Sequence, residues 1–131
     1  MDINRKKVLF LPLDVLTQSE SPKDITEFRV RTDIVDRIKS SRIARVAIVS
    51  RLDYPFSKSD MKTLLKTMEF FVFSYCQVAV SSHYVGNFFK EVLESLPNNL
   101  KHTEHMLVVD RDSMLADELD IDYMNLNDFL V

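Results

Sequence analysis

Two arginines and a scatter of histidines carry the chemistry most readily read from this chain. Arg51 follows the apolar run Val46-Ala47-Ile48-Val49, and Arg111 follows Met106-Leu107-Val108-Val109-Asp110. A guanidinium offers a planar fork of donors, so two of them on one edge of a fold could grip an anion bidentately. The competing assignment pairs them with Asp53, Asp112 or solvent. His83 has no serine or cysteine partner to activate and reads as a loop histidine. His102 and His105 stand three residues apart, a spacing that metal sites use, but further ligands are lacking nearby. Phe70, Phe71, Phe73 and Tyr75 form a dense aromatic stretch, read as core in preference to a partner surface. Asp117-Glu118-Leu119-Asp120-Ile121-Asp122 reads as a solvated acidic turn.

Apolar runs must position these residues. Val8-Leu9-Phe10-Leu11, Val46 to Val49 and Met106 to Val109 are short and uninterrupted, as expected of strands buried on both faces. Of the β-like stretches Phe71-Val72-Phe73 and Val78-Ala79-Val80, the second is the better strand. Tyr123-Met124-Asn125-Leu126 is a last, more polar one. Thr17 to Lys23 reads as a loop. Helical spacing places helices over residues 33–41, with Thr32 or Asp33 as N-cap, over 57–70, and over 84–96, ended by Pro97-Asn98-Asn99. A short helix follows over 113–119. Strands and helices alternate, which predicts a single three-layer α/β domain over residues 1–131, Rossmann-like, with a mostly parallel sheet. Ligands in such folds bind beyond the carboxyl ends of the strands. That directs attention to Leu13–Thr17, Ser50–Asp53, Ser81–Tyr84 and Asp110–Met114.

Composition narrows the function. The 131 residues carry 17 Lys+Arg against 20 Asp+Glu, a net charge of −3 that gives no reason to expect a nucleic-acid partner. No apolar run approaches the ~20 residues of a membrane span, and Met1 to Lys7 lacks the apolar stretch of a secretion signal. A single cysteine, Cys76, rules out an internal disulfide, and a reducing cytoplasm is the expected compartment. Ordinary usage of about 7% would supply about nine glycines; there is one, Gly86. Phosphate-wrapping loops need glycine where backbone approaches ligand, so the Walker and dinucleotide loops are absent.

The four post-strand stretches, in order, resemble the motifs of the haloacid dehalogenase (HAD) superfamily, and most nearly its small capless phosphatases. The first motif, Phe-Leu-Asp-x-Asp-Gly-Thr, is matched by Phe10-Leu11-Pro12-Leu13-Asp14-Val15-Leu16. The second is matched by Ile48-Val49-Ser50, and the fourth by Val108-Val109-Asp110-Arg111-Asp112-Ser113-Met114. The resemblance implies a HAD-like fold without a cap domain. It implies that Asp14 corresponds to the general acid/base, Ser50 to the phosphate-holding hydroxyl and Asp110 to a Mg²⁺ ligand. The departures fall on the chemistry. Pro12 stands where the nucleophilic aspartate belongs, Val15 and Leu16 replace the glycine and threonine, Met114 replaces the second acid, and the third-motif lysine has no clear counterpart beyond the position of His83.

Losing a nucleophile alone costs several orders of magnitude in rate, and Mg²⁺ held by Asp110 alone would stay mostly hydrated. The expectation is therefore a pseudoenzyme. It has no cofactor or only weakly bound Mg²⁺, and it binds a protein partner or a phosphate-bearing ligand at Ser50, Arg51 and Arg111. Asp14 is then vestigial, or a strand-end aspartate capping a turn. Asp110 either holds a cation weakly or caps the helix near Ser113. A divergent Mg²⁺-dependent phosphatase, acting on a small phosphate ester or a nucleic-acid 3′-phosphate, is the alternative. A homo-oligomeric structural domain is a third.

Overall fold

A computed structural model describes residues 3–16, 29–49, 63, 74–76 and 85–131, with the backbone alone for 74–76 and 85–88. Five strands form one sheet: β1 (Val8–Pro12), β2 (Arg45–Val49), β3 (Ser74–Cys76), β4 (Met106–Asp110) and β5 (Asp122–Asn125). Their order is β3-β2-β1-β4-β5, and every pairing is parallel. Among the described residues the α-helices are α1 (Leu13–Leu16), α2 (Thr32–Lys39), α3 (Val85–Ser95), α4 (Met114–Leu119) and α5 (Leu126–Phe129). This is the expected α/β architecture, a parallel sheet of Rossmann-like form.

The side-chain alternation of β1 explains the three layers. Successive strand residues face opposite sides of a sheet. Leu9 and Leu11 join Ile34, Val35 and Ile38 of α2 and Leu126 and Phe129 of α5 in one cluster. Val8 and Phe10 join Val92 of α3, Leu96 just beyond it, and Leu115, Ala116 and Leu119 of α4 in the other. A strand apolar at every position can only be satisfied with helices on both faces. Phe10 and Phe129 are fully buried, each contributing about 1.5–3 kcal/mol by burial. The Phe10 ring also meets Phe89 of α3 at 5.5 Å.

Several local expectations need correction. The third strand is Ser74–Cys76, between the two stretches read as β-like; 71–73 and 78–80 lie outside the described residues, as do the loop at 17–23 and most of the helix at 57–70. Helix α2 begins at Thr32 with Arg31 as its N-cap residue, and no side chain caps it. Instead Arg31 grips the Asp33 carboxylate at 2.8 Å, while Asp33 Oδ1 accepts the Ile34 N–H. The arginine beside Asp33 holds its carboxyl below the usual carboxylate range.

The stretch after β1 is not an open loop. Helix α1 starts at Leu13 with no intervening residue. The last strand ends at Asn125, and Leu126 opens α5, capped by the Asn125 side chain, which accepts the Asn127 N–H. The acidic stretch is not simply a turn. Asp117 to Leu119 finish α4, Asp120 takes the left-handed conformation that closes it, and Asp122 begins β5.

Candidate functional site at the carboxyl ends of β1 and β4

In a parallel sheet with this order the chain runs outward in opposite directions from β1 and β4. The crevice between their carboxyl ends is the topological switch point, where ligands bind in open α/β folds. Pairing between β1 and β4 ends at Phe10↔Val108. Beyond it, β1 continues beside β2 as far as Pro12↔Val49, and β4 continues beside β5 as far as Asp110↔Asn125. A proline cannot donate to a ladder, so Pro12 suits the place where the two central strands part.

The first turn of α1 supplies Asp14. Leu13, Val15 and Leu16 are fully buried in the core, and Asp14 is the one residue of the turn left partly exposed. A four-residue turn with three apolar neighbours has only one direction free of core, and Asp14 takes it. Val15, which replaces the motif's glycine, thus fills the core. Across the crevice, the end of β4 supplies Asp110 and Arg111. Asp110 is fully buried, and its Oδ1 accepts the Arg111 N–H at 2.7 Å. The Arg111 guanidinium stands 3.9 Å from Asp14 Oδ2, with side-chain exposures of 58% and 19%.

Geometry also separates the roles of the four fourth-motif polar residues Asp110, Arg111, Asp112 and Ser113. Asp112 Oδ1 accepts the Met114 N–H at 3.0 Å, so it is Asp112, not Asp110 as one reading had it, whose side chain meets the start of α4. Asp110 instead holds the turn that presents Arg111. The ion-pair partner of Arg111 is Asp14 and not Asp112. Ser113, at the N-cap position, donates to Asp117 and caps nothing itself.

Two residues of β5 belong to the site and were missed. The Tyr123 hydroxyl donates to the Asp110 carbonyl at 3.3 Å. Asn125 Nδ2 lies 3.3 Å from the Arg111 carbonyl and 3.2 Å from the Tyr123 hydroxyl. Together they fasten the β4–α4 turn from the neighbouring strand. Their spacing of two places them on one face of β5. Polar groups two apart in the last strand were the available signal.

Ser50, Arg51 and His83 lie outside the described residues. His102 and His105 lie at the opposite edge, with rings 6.2 Å apart and His105 beside Glu104 and the Arg5 carbonyl. Among the described residues no group of three His, Cys, Asp or Glu side chains is placed to hold a metal ion. No helix among them is long and apolar enough to cross a membrane.

Mg²⁺, which the resemblance implies, would have to be held by the donors at this crevice. The ion wants hard oxygen ligands in octahedral array. The positions that would supply them are a buried proline, a single buried carboxylate already accepting a backbone N–H, and Met114, a soft thioether 73% exposed at the start of α4. These residues do not fit the ion, and no step is derived through it. Neither a family model, a curated protein nor a solved structure matches this chain.

Proposed function

We propose that this chain is a HAD-like domain, without a cap, whose carboxyl-edge crevice binds a phosphate-bearing anion through Arg111 and does not hydrolyse it. The observation that carries the reading is the approach of Asp14 and Arg111 to 3.9 Å. Residues of the first and fourth motif-like stretches, about a hundred positions apart in the chain, meet at one mouth, as the resemblance requires. The strand order supports the same reading, since it makes β1 and β4 neighbours.

The chemistry at that mouth favours binding over turnover. Attack on phosphorus needs a nucleophile in line and preorganised positive charge around the transferring group. Pro12 supplies no nucleophile. What is present is an exposed guanidinium on a turn fastened by Asp110, Tyr123 and Asn125. Such a group recognises phosphate oxygens without reacting with them. Ser50 and Arg51, which follow β2 in sequence, are the further donors this reading calls on.

The test is a phosphate titration followed by amide shifts, run beside an assay of a generic phosphate monoester with Mg²⁺ or Mn²⁺. Saturable shifts at Arg111 with no turnover are expected. Turnover that Asp14→Asn abolishes would replace this reading with that of a divergent phosphatase.

A further inference from the structure

Resting on the anion-binding reading, we infer that Asp14 is a built-in competitor for Arg111: its carboxylate occupies the guanidinium in the ligand-free state, and an incoming phosphate dianion must displace it. Three features carry this. First, the two partners differ in freedom. Asp14 sits in a turn whose other three residues are fully buried, so its position is set by the core. Arg111 is 58% exposed, on a long side chain that can swing.

Second, the base of that swing is fixed. The Arg111 N–H donates to Asp110, and its carbonyl accepts from Asn125. Motion is thereby confined to the side chain, which reaches either Asp14 or an anion in the crevice from one anchored backbone. Third, the separation is 3.9 Å, longer than a charge-assisted hydrogen bond of about 2.7–2.9 Å. The pair is held by Coulomb attraction without a tight bidentate grip, and the attraction is screened on the side of the exposed guanidinium. A contact that weak restrains Arg111 yet yields to a dianion. Asp14 also repels an anion bound beside it, so its charge opposes binding twice.

Inorganic phosphate is the probe, titrated at constant ionic strength into the full chain and its variants, with amide spectra confirming the fold of each. Asp14→Asn keeps the side chain's shape and removes its charge. It is expected to bind phosphate at least about threefold more tightly, within what releasing a half-screened ion pair yields. Asp14→Ser serves the same purpose should the asparagine variant not fold. Arg111→Ala is expected to abolish the gain, so that Asp14→Asn has no effect in that background. Raising the salt is expected to shrink the difference between wild type and Asp14→Asn. Equal or weaker binding by Asp14→Asn, while wild type binds phosphate, overturns the competitor role and leaves the anion site standing. No phosphate binding by any variant overturns both.

Discussion

Among the described residues, the two ends of the sheet each bury one ionisable side chain, and they use it in opposite ways. The two side chains are Lys6 and Asp110. At the amino edge, Lys6 reaches from before β1 to the Glu104 carbonyl before β4 and to the Asp122 carboxylate at the start of β5. Its ammonium is consumed by the fold: one cation spans three segments, and its long stem is covered. At the carboxyl edge, Asp110 turns inward to accept the next residue's N–H, and that residue, Arg111, stands exposed. The amino edge closes on itself, whereas the carboxyl edge spends its buried charge on presenting an exposed one. A charge that is buried and paired acts as a structural fastener. A charge mounted on a fastened turn keeps its side chain at the surface.

That contrast can be broken by substitution. The largest effect is expected for Lys6→Ala, which strips a buried donor from two acceptors and uncovers the space its stem filled. A loss of about 2 kcal/mol in urea denaturation, with phosphate affinity unchanged, would mark the amino edge as purely structural; altered phosphate binding would erase the division between the edges. Asp110→Ala comes next, with about 1–2 kcal/mol lost, because the Arg111 N–H is left without its acceptor. Asp110→Asn keeps an oxygen at that position and should recover most of the loss, provided hydrogen bonding rather than charge is what the turn needs. Comparing the two denaturation midpoints decides it.

Smaller still is the effect of Arg111→Ala on folding, within about 0.5 kcal/mol because the side chain is exposed, although phosphate binding should vanish. A large stability loss there would mean that Arg111 is a fastener like Lys6. The smallest effect belongs to a pair away from both edges. Arg31 lowers the Asp33 carboxyl pKa in the folded chain. Its contribution is therefore present above the ordinary carboxylate pKa and lost as pH falls through the depressed folded value. With Asp33 about half exposed, the change should stay within a few tenths of a kcal/mol. Arg31→Gln should flatten it in acid titrations of stability.

Much of this architecture was legible because burial writes itself into residue type. Val8–Leu11, Val46–Val49 and Met106–Val109 have no polar residue to turn toward water, so covering helices on both faces followed directly. Ile34, Val35 and Ile38 announced α2 for the same reason. The third strand was not legible. Ser74-Tyr75-Cys76 is less apolar than the stretches on either side, and its choice depends on register against β2, a tertiary matter. The α2 cap was missed because Arg31 and Asp33 satisfy each other, and cap preferences treat residues singly.

At the candidate site, the sequence pointed to Asp14, Asp110 and Arg111, since polar residues following buried strands are conspicuous. Their division of labour came only from tertiary structure. Whether Asp110 faces a ligand or its own turn, whether Asp112 or Asp110 meets the start of α4, and that Asp14 meets Arg111 all depend on the adjacency of β1 and β4. The clamp of Tyr123 and Asn125 depends likewise on β5 lying beside β4. Residue type determined what is buried, because the transfer of apolar surface from water is a local, additive tendency. Which polar groups meet is decided by distance in space, and only the completed sheet sets that.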